Sequence, residues 1–267
     1  MVLMVGHPIF SIEDKVAIVT GSGRGIGEAL AVGFAEAGAK VVVNVANHPD
    51  QGQATVDAIQ QKGGEAVLVQ ADVSNQADVE RLVDSAVDAF GGLDILVNNA
   101  GIVAGGPAED LDMETWNRVL AVNLTGVYLC CGMAAKKVMI PQKSGRIINI
   151  ASISAEIGHP GGNPGLQQAA YHAAKGGVNM LTRCLALEWV SYGIVVNTLS
   201  PGWIDTGIDD EWFEADPGNL PLVLDDTPMH RLGNPEELVG AAIFLSSDAV
   251  SFMTGQNVIV DGGYTSW

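Results

Sequence analysis

Tyr171 and Lys175 stand four residues apart in Y-H-A-A-K, a spacing that a helix turns into neighbours on one face. An ammonium beside a phenol favours the phenolate and draws the phenol below its ordinary pKa of about 10. A tyrosine tuned in this way passes a proton near neutral pH. Ser152 follows G-R-I-I-N-I-A, an apolar run that predicts a buried strand over 146–150. The residue therefore lies just past a strand's carboxyl end, where open α/β sheets put their ligands. A Gly/Pro-rich loop over 159–165 then leads into a helix expected over 171–186. A surface Tyr, a solvated Lys and a loop Ser are each ordinary on their own, so the elements around them decide.

The first of those elements is a strand over 15–20, followed by G-S-G-R-G-I-G and an amphipathic helix to residue 37. In that context Gly21, Gly25 and Gly27 give a tight turn, a close backbone approach to a ligand, and close helix–strand packing. The helix start offers free N–H groups and a positive dipole end to a pyrophosphate. The second strand, 40–45, is followed by Ala46, Asn47, His48 and Pro49, with Asp50 the nearest acid. An acid at this strand end binds a ribose 2′-hydroxyl in NAD-selective folds. Its absence, with Arg24 in the glycine turn to meet a 2′-phosphate as a planar fork of donors, favours NADP, with NAD as the alternative.

A helix over 51–62, a strand over 66–70 and a helix from Ser74 or Asn75 to about Phe90 come next. Asp72 either accepts a hydrogen bond from an adenine amine or helps to start that helix. The fourth strand, 93–97, ends in N-N-A-G (98–101), which reads as a turn held by side-chain hydrogen bonds. Asn123 lies inside a long helix over 113–137, where a buried amide needs partners for its polar atoms. A sixth strand, 194–199, runs into S-P-G-W-I-D-T, and residues 203–231 are acidic, irregular and aromatic. A loop of that length in a compact domain reads as a lid with short helices. A last helix over 235–246 and a strand over 257–260 close the chain.

Alternating strands and helices predict an α/β fold, a parallel sheet with helices on both faces, in one domain over 1–267. The net charge of −18 argues against nucleic acid or an anionic membrane as partner. Cys130, Cys131 and Cys184 form no disulfide framework, which fits a reducing compartment and a cytoplasmic location. The apolar N-terminus lacks a basic n-region and reads as an arm rather than a signal peptide. No apolar run is expected to reach membrane length, and the scattered histidines suggest no metal site.

Together the motifs resemble the short-chain dehydrogenase/reductase family from Val16 to about Tyr264. The resemblance rests on T-G-S-G-R-G-I-G, Asp72-Val73, N-N-A-G, Asn123, Ser152, Y-H-A-A-K, P-G-W-I-D-T and the terminal D-G-G. It implies a Rossmann-type, doubly wound, seven-stranded parallel sheet, a nicotinamide cofactor, and Tyr171 as general acid in reduction and base in oxidation. Lys175 would hold the nicotinamide ribose and lower the tyrosine's pKa. Ser152 would hydrogen-bond the substrate oxygen, and Asn123 would hold a water relaying protons to Lys175. The cofactor would meet Gly21, Ser22, Arg24, Gly25, Ile26, Gly27, Asp72, Val73, Asn99, Ala100 and Gly101. Pro201, Gly202, Ile204 and Thr206 would cover the nicotinamide, with Thr206 on its carboxamide. Asn44, in N-V-A-N, looks like the family's NADP-type ending of the second strand, although an arginine often found there is Asn47 here.

The segment between Ser152 and Tyr171 is longer than the family's usual spacing; a shifted register would give Ser154 the role of Ser152. Ser154, His159 and Trp203 are candidate substrate contacts. Q-A-A-Y-H-A-A-K and S-P-G-W-I-D-T-G look like the polyol and ketose members of the mannitol dehydrogenase and sorbose reductase kind. That resemblance implies reduction of a ketose or small hydroxyketone. A 3-oxoacyl-carrier-protein reductase is the alternative enzyme, and a nucleotide-sensing regulator the alternative outside catalysis. The family's habit of pairing the helices around 113–137 and 168–190 implies a homotetramer.

Overall fold

The computed structural model of the chain describes residues 7–158, 167–207 and 210–266. Its seven strands are β1 (Val16–Val19), β2 (Lys40–Val45), β3 (Ala66–Gln70), β4 (Ile95–Asn98), β5 (Gly145–Ile150), β6 (Ile194–Pro201) and β7 (Asn257–Val260). They form one parallel sheet in the order β3-β2-β1-β4-β5-β6-β7. β1, β4 and β6 are buried at every position, as strands covered on both faces must be. The chain moves outward from β1 to β3, then returns to lay β4 beside β1. At that reversal the loops after β1 and β4 diverge and leave a crevice at the strands' carboxyl ends.

Helices cover both faces. On one lie α1 (Gly25–Glu36), α2 (Pro49–Gln61) and α8 (Val239–Ser246), which contribute Leu30, Phe34, Ile59 and Leu245 to the core. On the other lie α3 (Gln76–Phe90), α4 (Met113–Gln142) and α5 (Ala169–Trp189), contributing Leu82, Val127, Met139 and Val178. Two short helices, α6 (Asp210–Ala215) and α7 (Asn219–Asp226), lie in the 203–231 segment. α3 is capped by Asn75, whose side chain accepts from the Ala77 and Asp78 N–H groups, which decides between the two expected caps. α2 starts at Pro49, two residues before the expected start, because proline suits a helix's first turn, where an N–H has no intrahelical partner.

α4 departs most from expectation. It runs on to Gln142 rather than 137, and over 121–125 and 135–139 it widens into π-helical turns. It is also long and apolar enough to cross a membrane by length and hydropathy, contrary to the expectation that no run would qualify. Those apolar residues serve the core, since Val127, Cys130, Cys131, Ala134 and Met139 are buried against the sheet and neighbouring helices.

A buried polar chain runs through the middle of the sheet. Asn98 Nδ2 donates to Asn149 Oδ1 (2.8 Å), and Asn149 Nδ2 donates to Thr182 Oγ1 (2.9 Å). The Thr198 hydroxyl continues the chain to Thr182 (3.0 Å). It locks β4, β5 and β6 to α5, the helix that bears Tyr171 and Lys175. Replacing Asn149 by Ala strands a donor on one side and an acceptor on the other, so unfolding free energy should fall by roughly 2–3 kcal/mol. Denaturant titration of the variant checks this; an unchanged midpoint would contradict it.

Candidate active site

The crevice is a cleft of about 500 Å³ lined by the turns after β1, β2, β4, β5 and β6. Its floor is the glycine turn. Gly21 and Gly25 have φ of 62° and 58°, a region that favours glycine. A Cβ on Gly21 would lie 2.8 Å from Ala100 Cα, and one on Gly27 would strike the Gly21 carbonyl and the Asn99 amide. A Cβ on Gly25 would lie 3.1 Å from Thr206 Cβ across the cleft, so the turn after β6 closes down onto the start of α1. The residue capping α1, Arg24, makes no side-chain cap bond. The first N–H groups of this helix are therefore left for an anion in the cleft.

Side chains behind the floor hold it in shape. Thr20 Oγ1 accepts from the Asn99 and Ala100 N–H groups (2.9 and 3.0 Å), pinning N-N-A-G to the end of β1. Asn99 Nδ2 donates to the Thr20 and Gly21 carbonyls (2.9 and 3.0 Å). Ser22 and Asn44, both expected near the cofactor, also brace this scaffold. Ser22 is buried outside the cleft lining: its hydroxyl donates to the Val19 carbonyl (2.7 Å) and its N–H to the Asn44 carbonyl (2.8 Å). Asn44 borders the cleft, but Nδ2 donates to the Val69 and Ala71 carbonyls (3.1 and 3.0 Å) and Oδ1 accepts from Gly21 N–H (3.3 Å). Motif position reveals that a residue is near a ligand, but not that its polar atoms are already spent.

At the reacting end, Tyr171 lies in the first turn of α5 and Lys175 one turn later, with Nζ 5.4 Å from the tyrosine ring centroid. Lys175 is only 4% exposed and donates to the Ile150 carbonyl (2.8 Å). Burial pushes its ammonium down to about 8. Ser152 follows β5 in extended conformation and lines the cleft, and its Oγ accepts from Ser154 N–H (3.1 Å). Ser154 lines it too, mostly buried. Asn123 is fully buried in the first π turn of α4, and Nδ2 donates to the Val119 and Ile102 carbonyls (3.0 and 2.8 Å). Its Oδ1 has no partner among the described residues and points at Gly101, where a Cβ would sit 2.7 Å away. Such turns in α-helices recur at functional sites.

Asp72, Val73, Ile26, Pro201, Gly202, Trp203, Ile204 and Thr206 all line the cleft. One Asp72 oxygen is taken by the N–H and hydroxyl of Ser74 (2.9 and 2.7 Å), so the aspartate also shapes the entry to α3. His159 lies outside the described residues. Sequence reasoning missed Arg118, which lines the cleft from α4, and Glu156. Glu156 Oε1 accepts from Asn179 and Asn257 (2.6 and 2.8 Å), tying the loop after Ser152 to α5 and β7. No motif marks either residue.

A molecule of net charge −18 lines this cleft with Arg24, Arg118 and Lys175 against Asp72 as the lone carboxylate among the described lining residues. The rim after β2 consists of Val45, Ala46, Asn47, His48 and Gln51, without an acid. The glycine cradle, the open helix start, the unspent Asn123 oxygen and this charge pattern fit an anionic dinucleotide.

Residues 21–265 match the family model described as Enoyl-(Acyl carrier protein) reductase. The chain is 44% identical over 254 residues to a 3-oxoacyl-[acyl-carrier-protein] reductase of Synechocystis sp., covering 95% of this chain and 98% of that one. The chain belongs to the short-chain dehydrogenase/reductase family. As a member it is an NAD(P)-dependent oxidoreductase acting on alcohol or ketone carbons. It is also 42% identical over 254 residues to 3beta-hydroxysteroid dehydrogenase 1 of Eggerthella lenta, covering 95% of each chain. The solved structure of a gluconate 5-dehydrogenase from Burkholderia cenocepacia, in complex with NADP and tartrate, matches with a TM-score of 0.89 at 38% identity. That match covers 97% of this chain and 98% of the other.

The buried lysine gives this oxidoreductase a pH signature. The folded ammonium titrates at about 8 and the ordinary one at 10.5, so between those values the unfolded chain holds more protons and stability rises with pH. The burial penalty, roughly 3–4 kcal/mol, is present in full below the folded value. Lys175→Met should therefore give a cofactor-free protein at least as stable as wild type near pH 7. That advantage should shrink as the pH rises from about 8 to 10.5 and be gone above it. Thermal melts across pH check this, and a variant markedly less stable at pH 7 would contradict it.

Proposed function

We propose that this chain reduces the ketone of a ketose, or of a small hydroxyketone, with NADPH, and oxidises the corresponding alcohol in reverse. The observation that carries the catalytic assignment is the buried Lys175 ammonium one helical turn from Tyr171, with Ser152 at the end of the neighbouring strand. When bound, the nicotinamide supplies hydride chemistry. Ser152 Oγ donates a hydrogen bond to the substrate oxygen, where negative charge develops. Tyr171 Oη delivers its proton to that oxygen, and the Lys175 cation stabilises the phenolate left behind. The free Oδ1 of Asn123 holds a water through which the proton is replaced. In the alcohol-to-ketone direction each proton transfer runs backwards.

The acid-free rim after β2 and Arg24, without an ion-pair partner among the described residues, support NADP over NAD, as does NADP in the Burkholderia relative. Ile26, Val73 and the 99–101 turn contact the cofactor, while Pro201, Gly202, Ile204 and Thr206 cover its nicotinamide. Residues 203–231 act as the substrate lid. The polyol look of the Y-H-A-A-K and P-G-W-I-D-T-G segments supports the ketose. The Synechocystis relative favours a second reading, reduction of a 3-oxoacyl thioester. The apolar side chains that α4 and α5 expose, Tyr128, Met180 and Leu187, support pairing of these helices in a homotetramer. Three unpaired cysteines support a cytoplasmic enzyme.

Initial rates on a ketose and polyol panel, run with NADPH and NADH in parallel, test the reading. Fructose- or sorbose-like substrates should turn over with NADPH, and Tyr171→Phe should lose about 10²–10⁴ in kcat while still binding cofactor. Arg24→Ala should weaken NADPH but not NADH by about tenfold to a hundredfold. Turnover of 3-oxoacyl thioesters with none of ketoses would transfer the reading to the second substrate class.

A further inference from the structure

Ser152 lies between two grips of the helix that carries Tyr171. On α5, Tyr171, Lys175 and Asn179 follow one another at four-residue steps, so they share one face. Lys175 Nζ donates to the carbonyl of Ile150, just before Ser152 in the chain (2.8 Å). Asn179 Nδ2 donates to Oε1 of Glu156, just after it (2.6 Å). The same carboxylate oxygen accepts from Asn257 Nδ2 at the start of β7 (2.8 Å). Asn257 Oδ1 is held in turn by the hydroxyl of Ser200 in β6 (2.7 Å). Ser200 is fully buried and Asn179 nearly so, so the two amides reach Glu156 from a fixed framework.

Between the grips the chain forms one hydrogen-bonded turn, Ile153–Ala155. Ala155 N–H donates to the Ser152 carbonyl and Glu156 N–H to the Ile153 carbonyl (2.9 Å each). Ser154 N–H closes the turn on Ser152 Oγ (3.1 Å). Because that oxygen accepts from the backbone, its hydrogen points elsewhere and is left to donate. A shift of Glu156 is therefore passed along the turn to the serine hydroxyl. Glu156 itself is exposed and lies outside the cleft lining, so it acts on the site only through what it holds.

We infer that Glu156 is a positioning residue. By accepting from Asn179 and Asn257 at once, it sets where the Ser152 hydroxyl stands relative to Tyr171, and so where both meet one substrate oxygen. Proton transfer needs that oxygen within hydrogen-bond reach of the tyrosine, and a misplacement of about 1 Å costs on the order of a hundredfold in rate. The acceptor geometry rather than the negative charge does this, since the described partners of the carboxylate are neutral amides. The inference rests on the reading of Ser152 and Tyr171 as the groups that meet the carbonyl oxygen, and it holds for either substrate class.

A double-mutant cycle on the full-length enzyme with NADPH tests it, using whichever ketose or 3-oxoacyl thioester turns over fastest. Glu156→Ala should lose about tenfold in kcat, with KM and the Kd for NADPH changed less than about twofold. Glu156→Gln keeps the acceptor oxygen and should restore most of that loss. Asn257→Ala, remote from the cleft, should reproduce part of it. In a Ser152→Ala background Glu156→Ala should cost almost nothing further, because the two residues act as one unit. In the cofactor-free protein, hydrogen exchange at the Ser154 amide should quicken severalfold in Glu156→Ala and keep the wild-type rate in Glu156→Gln. Equal losses in Glu156→Gln and Glu156→Ala would put the charge in control and overturn the inference. An undiminished loss in the Ser152→Ala background, or unchanged exchange at Ser154, would overturn it too. A slow Ser152→Ala beside a Glu156→Ala at the wild-type rate would sink this inference alone, whereas Ser152→Ala at the wild-type rate would sink the reading of Ser152 along with it.

Discussion

A lysine ammonium held almost out of water is the constraint on which the rest of this structure depends. Lys175 keeps one hydrogen bond, to the Ile150 carbonyl at the end of β5, and a tyrosine ring for company. Desolvation disfavours its charged form, so the fold must supply that burial from elsewhere. It does so with strands buried along their whole length and two apolar layers around them. The cost buys a cation that is not already paired to a carboxylate and so can act on the phenol beside it.

The same economy appears across the cleft, where polar atoms are either fully spent on the scaffold or left open toward the ligand. Thr20, Ser22, Asn44 and Asn99 spend theirs, knitting the glycine turn to the ends of β1, β2 and β4. Asn123 spends its amide protons on two carbonyls and keeps its oxygen open. The start of α1 keeps its N–H groups without a side-chain cap. Because the scaffold groups are satisfied within the protein, the open groups are preorganised, and little reordering is needed when charge develops.

Much of this was legible in the sequence. Strand spans, the parallel order and the glycine turn follow from apolar runs and from backbone conformations that glycine alone adopts without strain. The pairing of Tyr171 with Lys175 follows from helical spacing. For Ser22 and Asn44 the motif gives proximity to the cleft, whereas the hydrogen bonds that hold their side chains to the scaffold are decided by tertiary partners no motif names. The π turn at Asn123 and the reach of α4 to Gln142 were invisible for a related reason: extra residues per turn leave no signature in a periodicity that is already blurred by burial on all sides. Arg118 and Glu156 stand in no motif, and only the fold brings them to the cleft and to its support.

The chemistry of the cleft turns on the charge state of one side chain, and the most direct measurement is of that side chain. The titration of Lys175 can be followed by NMR of 13C-labelled lysine in the cofactor-free protein, with Lys175→Met assigning the resonance. The structure predicts an inflection at about 8, well below the ordinary 10.5. An inflection at the ordinary value would mean that the ammonium is solvated, and would contradict the view that burial of this lysine organises the site.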